Sequence, residues 1–351
     1  MLEKLDCDII IPVYNSLELT RNCLGSIYDN TSIPFNLVLI DNGSDISTKK
    51  YLEQFKRDHK NVFLVRNEKN LGWVKAVNQG MRISVSTYIC IMNNDTVVRT
   101  NGWLSGLIGV ACISDDIGLV NPRFETKEAT KGDEPFVEID FCRGYCILIK
   151  RAVMEKIGVL DEAYGLGYYD DDDYSIRAIR SGFRCVRANS VFVEHLRDST
   201  FSVLFGNEKR RELHDKNKKI FYSKWGRRLK IVFIITQEHD RKDLEDILFA
   251  LARKQHIIYI WNFLKALDFK HINIRERVFS GLFQNIMVHI SLFLNRMKKG
   301  PKRYSAILTD NVNMVPVLKL LGPGAYYIDV DKGIKGIEKT IDSLAKVHYE
   351  M

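Results

Sequence analysis

No internal repeat or low-complexity tract interrupts these 351 residues, and no basic-then-apolar leader with a small-residue cleavage site opens them. "MLEKLDCDIIIPVYN" runs straight into an apolar, strand-like segment that ends at Pro12, so secretion is not expected. Regular cysteine spacing is missing too. The seven cysteines (Cys7, Cys23, Cys90, Cys112, Cys142, Cys146 and Cys185) are odd in number and sit mostly inside apolar runs, as reduced core thiols of a cytosolic protein would. Cys142 and Cys146 have no second Cys/His pair to complete four ligands, so no structural zinc is expected. Long apolar runs are also wanting. The best, "VFSGLFQNIMVHISLFLN" from Val278, is barely long enough to span a bilayer and contains Gln284, Asn285 and His289, which argues against a transmembrane helix.

A 46% hydrophobic, 27% charged composition suits a globular protein with one large core or two moderate ones. A net charge of +8 points to an anionic partner. Basic residues crowd the span from Arg197 to Arg303, in "EKRRELHDKNKKIFYSKWGRRLK" and again in "NRMKKGPKR", directly after the apolar stretch. That pairing suits an anionic membrane surface, and a buried amphipathic helix with a solvated basic end accounts for it equally.

The first half alternates buried-strand patterns with helical ones. Strands are expected at 7–13, 35–41, 61–67 and 87–93, with helices near 17–30, 46–58 and 73–84. Such a series predicts a parallel sheet with both faces covered. Each strand ends in turn-forming residues ("PVYNS", "DNGSD", "RNEKNLG", "NNDT"), which outlines a ligand site at the carboxyl ends of the strands. Beyond Gly102 a helix near 102–113, strands near 117–121 and 145–150 and a helix from 151 are expected. "FRCVRANSVFVEH" reads as strand, turn, strand. A charged, helix-prone linker covers 206–228, and from Leu229 a second, smaller α/β unit begins. "GPG" at 322–324 reads as a turn rather than a phosphate loop.

Seven segments, "IIPVYNSLELTRNCLGSI", "VLIDNGSD", "NEKNLGWVKAVNQG", "YICIMNNDTVV", "FCRGYCILIKRAVMEKIGVLDEAYG", "YYDDDDYSIRAIRSGFRC" and "VFVEH", resemble in order and spacing the family 2 inverting glycosyltransferases over residues 7–200. "NNDT" is similar to the rhamnosyltransferase-like branch. The resemblance implies a GT-A nucleotide-diphospho-sugar transferase fold, with a Rossmann-like mixed sheet, for residues 1–205, followed by the linker and a small C-terminal α/β domain, 229–351. It also implies a cytosolic, metal-dependent enzyme that moves a sugar from a UDP- or dTDP-type donor to a hydroxyl of a glycan or lipid-linked acceptor at the inner membrane face, with no role for nucleic acid.

By the same resemblance Pro12, Val13, Tyr14 and Asn15, with Asp41 and Asn42, hold the nucleobase, the Asp41 carboxylate accepting from a pyrimidine N–H. An Asx-rich turn and helix cap explains "DNGSD" as well. Gly72, Lys75 and Asn78 offer close backbone approach and polar contacts to the donor, or simply open an amphipathic helix. "NNDT" occupies the place of an acidic metal motif: Asp95 would ligate Mn2+ or Mg2+, Asn93 and Asn94 would contact ribose or metal, and His195 would add a ligand. Gly144 would admit a sugar to the backbone and Arg143 would meet a phosphate or the acceptor. Tyr168 and Tyr169 would line the acceptor sugar or pack in the core.

The run Asp170 to Asp173 heads a helix expected to start near Asp171. Four aspartates at a helix N-terminus complement the macrodipole without doing chemistry. The family pattern places the catalytic base on Asp171, with Asp170 as its acidic neighbour, and Asp173 precedes Arg177 by four residues as an ion-pair partner. A nucleotide-sugar-binding module without turnover is the alternative. Nucleotidyl transfer would need a glycine- and lysine-rich triphosphate loop, and "PVYNSLELTRNC" is not one.

Overall fold

The computed structural model describes residues 6–124, 134–196, 206–269, 271–279, 284–297, 303–321 and 324–350. Most of the basic run after Met297 and the first two residues of "GPG" therefore lie outside the described residues. The chain divides into two compact units, 1–220 and 221–351.

The first unit is built on a nine-stranded mixed sheet. Its strands are β1 (Cys7–Val13), β2 (Phe35–Asp41), β3 (Val62–Arg66), β4 (Tyr88–Met92), β5 (Thr96–Val98), β6 (Ile117–Arg123), β7 (Phe136–Ile139), β8 (Cys146–Lys150) and β9 (Arg184–His195). The helices are α1 (Leu17–Asn30), α2 (Ile46–Asp58), α3 (Trp73–Ile83), α4 (Trp103–Cys112), α5 (Arg151–Ile157), α6 (Asp170–Arg180) and α7 (Asn207–Trp225), which crosses the division between the units. The order runs β3-β2-β1-β4-β8-β6-β9-β5, with β7 also on β9. The first four strands are parallel, and every residue of β1 and β2 is buried, as their apolar runs require. Order reverses between β1 and β4, the kind of switch point beside which open α/β sheets bind ligands.

At the opposite edge of β1, Asp8 is fully buried and accepts from Asn36 Nδ2 (2.7 Å), Ser84 Oγ (2.5 Å), Ser86 Oγ (2.6 Å) and the backbone N–H groups of Val85 and Ser86. Burial pushes its carboxyl up, but these donors outweigh burial and hold it below its ordinary value. Six of the seven cysteines are buried and none is in a disulfide; burial pushes the Cys23 thiol up to about 12.

The strand–turn–strand reading of 183–195 is corrected: β9 is one continuous strand. It changes neighbours on the way, pairing with β6 and β7 over its first half and with β5 at its end, and the pairing with β6 shifts register between Asn121 and Arg123. The "ANS" that reads as a turn lies at this exchange, where Asn189 bonds the backbone of Glu134 and Pro135.

The second unit is a five-stranded parallel sheet in the order β12-β11-β10-β13-β14: β10 (Lys230–Ile235), β11 (Ile257–Asn262), β12 (Ile274–Val278), β13 (Ala306–Thr309) and β14 (Ala325–Tyr327). Its helices are α8 (Arg241–Arg253), α9 (Gln284–Arg296), α10 (Val315–Leu321) and α11 (Lys335–Glu350). Leu244, Leu248, Ile337 and Ile341 pack on one side of this sheet, Val288, Leu292 and Leu318 on the other.

Candidate active site

A cleft of about 490 Å³ opens beside the carboxyl end of β4. Eight of the residues singled out in the sequence line it: Asn93, Arg143, Gly144, Tyr168, Tyr169, Asp170, Asp171 and His195.

One wall is fixed by strand pairing. β5 and β9 run antiparallel with Thr96 opposite His195, and Leu196 N–H donates to Asp95 C=O, so residues a hundred positions apart meet. His195 Nε2 lies 3.2 Å from Asp95 Oδ1 and 3.4 Å from Asn93 Nδ2, and its ring stacks on Tyr145. Asn93 Oδ1 accepts from Trp73 Nε1 (3.1 Å). Asn94 points the other way, its amide donating to Thr20 Oγ1 in the core. A carboxylate, an imidazole and an amide thus converge on one point.

The facing wall is the start of α6. Asp171 is half-buried; its Oδ2 accepts from Gly144 N–H (2.8 Å) and its Oδ1 from Asp172 N–H (3.0 Å). Gly144 earns its place here, since a Cβ would sit 3.3 Å from the Trp73 ring and 3.4 Å from Asp171 Oδ2. Burial raises the Asp171 carboxyl above its ordinary value, while the backbone N–H donors and the Arg143 guanidinium act against the rise. Asp170 is fully inside, and burial together with the Asp171 charge pushes it well above the carboxylate range. Both carboxyls border the cleft, and Asp171 is the more accessible of the two. Asp173 is buried and paired with Arg177 Nε (2.8 Å), whose other nitrogens donate to Ile157 C=O and Val159 C=O, as the four-residue spacing predicts. The helix begins one residue earlier than its expected start, at Asp170, because Tyr168 and Tyr169 turn the chain in the left-handed region (φ 70° and 67°).

That turn is held from outside. Asn217, fully buried on α7, donates through Nδ2 to Tyr164 C=O (2.8 Å) and Gly167 C=O (2.7 Å), with Tyr168 C=O at 3.3 Å. One turn earlier on the same helix, His214 packs its ring against Tyr168 and Tyr169 and reaches the cleft. Neither residue carries a signal in the sequence, where both fall in a charged helical segment.

A second cluster gathers at the ends of β1 and β2. Asn15 is left-handed (φ 54°); its N–H donates to Ser44 Oγ and its Oδ1 accepts from Asp45 N–H, so the Pro12-Val13-Tyr14-Asn15 turn is tied to the turn after β2. Asp41 is buried, accepts from Ser44 N–H and is ion-paired with Arg66, a residue the sequence reading did not single out. Asn42 uses its amide inside the protein, bonding Asn70 Oδ1, Gly72 C=O, Asn67 Nδ2 and Leu71 N–H. Gly43, at φ 81°, lies so close to the Lys69–Asn70 backbone that a Cβ would come within 2.7 Å. Asn78 likewise grips the Leu160 peptide through both ends of its amide, and Lys75 is exposed on α3. None of these residues borders the cleft between Asp171 and His195.

Residues 8–160 match the family Glycosyl transferase family 2. An uncharacterized protein of Methanocaldococcus jannaschii is 35% identical over 91 residues, 24% of this chain and 38% of that protein. Glycosyltransferase AglE of Haloferax volcanii is 28% identical over 202 residues, 53% of this chain and 66% of that protein. Among solved structures, the mannosyltransferase PcManGT of Pyrobaculum calidifontis, in complex with GDP-Man and Mn2+, superposes with a TM-score of 0.52 at 17% identity, covering 63% of this chain and 64% of that one. The chain spans less than two thirds of the length of each of these proteins. The chain has the GT-A fold, and its residues 8–160 are similar to the Glycosyl transferase family 2 model.

Proposed function

We propose that the protein is an inverting glycosyltransferase that moves a sugar from a nucleotide-diphosphate donor, of the UDP or dTDP type, onto an acceptor hydroxyl. The observation that carries this reading is the Asp171 carboxylate, held by Gly144 N–H at a cleft that Asn93 and His195 also line, with the buried Asp95 carboxylate 3.2 Å from His195. Inversion requires one base on the acceptor side, opposite the departing diphosphate. Asp171 takes the acceptor proton. Asp170, the more deeply buried of the two, has its carboxyl pushed up by burial and by the Asp171 charge.

A divalent cation fits the opposite wall. Hard cations that serve phosphates take one or two protein ligands and leave the remaining positions to phosphate oxygens and water. Asp95 and His195 supply two such ligands, with the Asn93 amide beside them. When bound, Mn2+ or Mg2+ would offset the charge that develops on the leaving diphosphate. At the other end of the donor, Asp41 with Arg66 and the Pro12–Asn15 turn forms the nucleobase seat. The "NNDT" form and the branch it resembles make a dTDP-deoxysugar one donor to include. We place the enzyme in the cytoplasm, extending a bacterial-type surface glycan on a lipid-linked acceptor at the inner membrane face, with peripheral contact to anionic lipid.

The test is donor turnover across a panel of nucleotide sugars with Mn2+ or Mg2+, followed by Asp171→Asn. A lost general base costs about 10²- to 10⁴-fold in kcat. Nucleoside diphosphate binding, read by calorimetry, should persist in the variant. Near-normal turnover would remove Asp171 from the chemistry. A module that binds nucleotide sugar without turnover has in its favour the amides of Asn93 and Asn94 where stricter motifs carry acids. Tight donor binding with no transfer to any acceptor or to water, for any donor in the panel, would select it.

A further inference from the structure

We infer that the outer face of α9, in the second unit, docks on an anionic phospholipid bilayer, and that this face is the membrane contact surface of the protein. The helix carries apolar side chains on two opposite sides. Its inner side buries Val288 and Leu292 against the sheet, and Asn295 on the same side is buried as well. At 100° per residue, Ile286, Met287, Ile290, Phe293, Leu294 and Met297 fall within about 120° of arc on the opposite side, and each is 46–70% exposed. An amphipathic helix of a globular protein turns polar groups outward, so an outer face of this composition is made to be covered. Beside it on the same side of the sheet, α10 exposes Val317 and Leu320 together with Lys319.

Charge selects what covers it. Between Glu276 and Asp310 the sequence has no acidic residue, and it has six basic ones: Arg277, Arg296, Lys298, Lys299, Lys302 and Arg303. A second copy carries the same sign of charge in this span, whereas an anionic lipid surface presents the opposite sign. Among the described residues no helix is long and apolar enough to cross a membrane, and 13 residues rise only about 20 Å against a hydrocarbon core of about 30 Å. The helix lies along the interface, apolar side down.

The experiment is co-sedimentation of the full chain with phosphatidylcholine vesicles and with vesicles containing about 30 mol% phosphatidylglycerol. Binding should be at least about 10-fold tighter to the anionic vesicles and should weaken with salt. Ile290→Asp with Phe293→Asp should lower binding by at least about 10-fold while circular dichroism and thermal unfolding stay unchanged, because both side chains are exposed. Lys298→Glu with Lys299→Glu should remove the preference for anionic vesicles while leaving the apolar face intact. Absence of vesicle binding, wild-type binding by both double variants, or a dimer that Phe293→Asp dissociates without any vesicle binding would each overturn the inference. No step of this test reads sugar transfer, so its failure is distinguishable from failure of the proposed reaction.

Discussion

Asn217→Ala deletes one amide from a charged helix and should loosen a turn fifty residues away. Its Nδ2 makes two good hydrogen bonds, to Tyr164 C=O and Gly167 C=O, and a longer one to Tyr168 C=O. Each is worth about 0.5–1.5 kcal/mol net, and buried carbonyls left without a donor cost more, so the deletion should cost about 2–3 kcal/mol. The turn it secures contains two tyrosines in the left-handed region, each roughly 1–2 kcal/mol above its relaxed backbone. The two sums are of similar size, so the turn should open locally rather than drag the sheet with it. Hydrogen–deuterium exchange of the 164–171 amides should then rise by about 30- to 150-fold, the same free energy expressed as a population. Because this turn starts α6, kcat should fall by about 10-fold or more. Asn217→Asp keeps the shape but turns acceptors towards carbonyls, and should be worse than Ala. Adding Tyr168→Gly to Asn217→Ala should recover about 1 kcal/mol, since glycine enters this region freely. Unchanged exchange at 164–171 in Asn217→Ala would refute the clamp.

Titration separates three carboxyls. Asp170 has a raised value in the folded state, so its stabilising contribution is present below the unfolded value near 3.9 and is lost as pH rises through the folded one. Asp170→Asn should therefore add about 1–2 kcal/mol at neutral pH and nothing near pH 4, read from denaturant midpoints at both pH values. Asp8 has the opposite sign: its contribution is present above about 3.9 and lost as pH falls through its lowered folded value. Asp8→Ala strands five donors and should cost about 4 kcal/mol, or roughly 8–16 °C in Tm at neutral pH. Removing the cation in Arg143→Met should move the acid limb of the pH–rate profile to higher pH, because the ionised form of Asp171 loses support. An unmoved limb would detach Arg143 from that carboxylate.

The parallel half of the fold was legible because each strand there is a short apolar run bounded by turn residues, and α2 and β2 fall where the pattern put them. β5 escaped notice because three residues carry no period, and β9 was misread because its pairing changes partners without leaving the strand. Asp173 with Arg177 could be read from spacing alone, since i and i+4 meet on any helix. Asn42 and Asn78 look like ligand contacts in sequence, yet their amides tie loops together, and only the fold reveals which carbonyls they reach. Asn217 and His214 were invisible for the opposite reason: "ELHDKNKKI" reads as solvated charge, and what buries Asn217 is the turn it holds.

The pairing of β5 with β9 gives the cleft two unequal sides. His195 and Asp95 are carried by a ladder of main-chain bonds inside a nine-stranded sheet, which no single side chain controls. Across from them, the tyrosine turn depends on one asparagine from a helix that belongs to no sheet. Any adjustment of shape to an arriving molecule therefore falls to the tyrosine side, with the histidine side serving as the fixed reference against which it is measured.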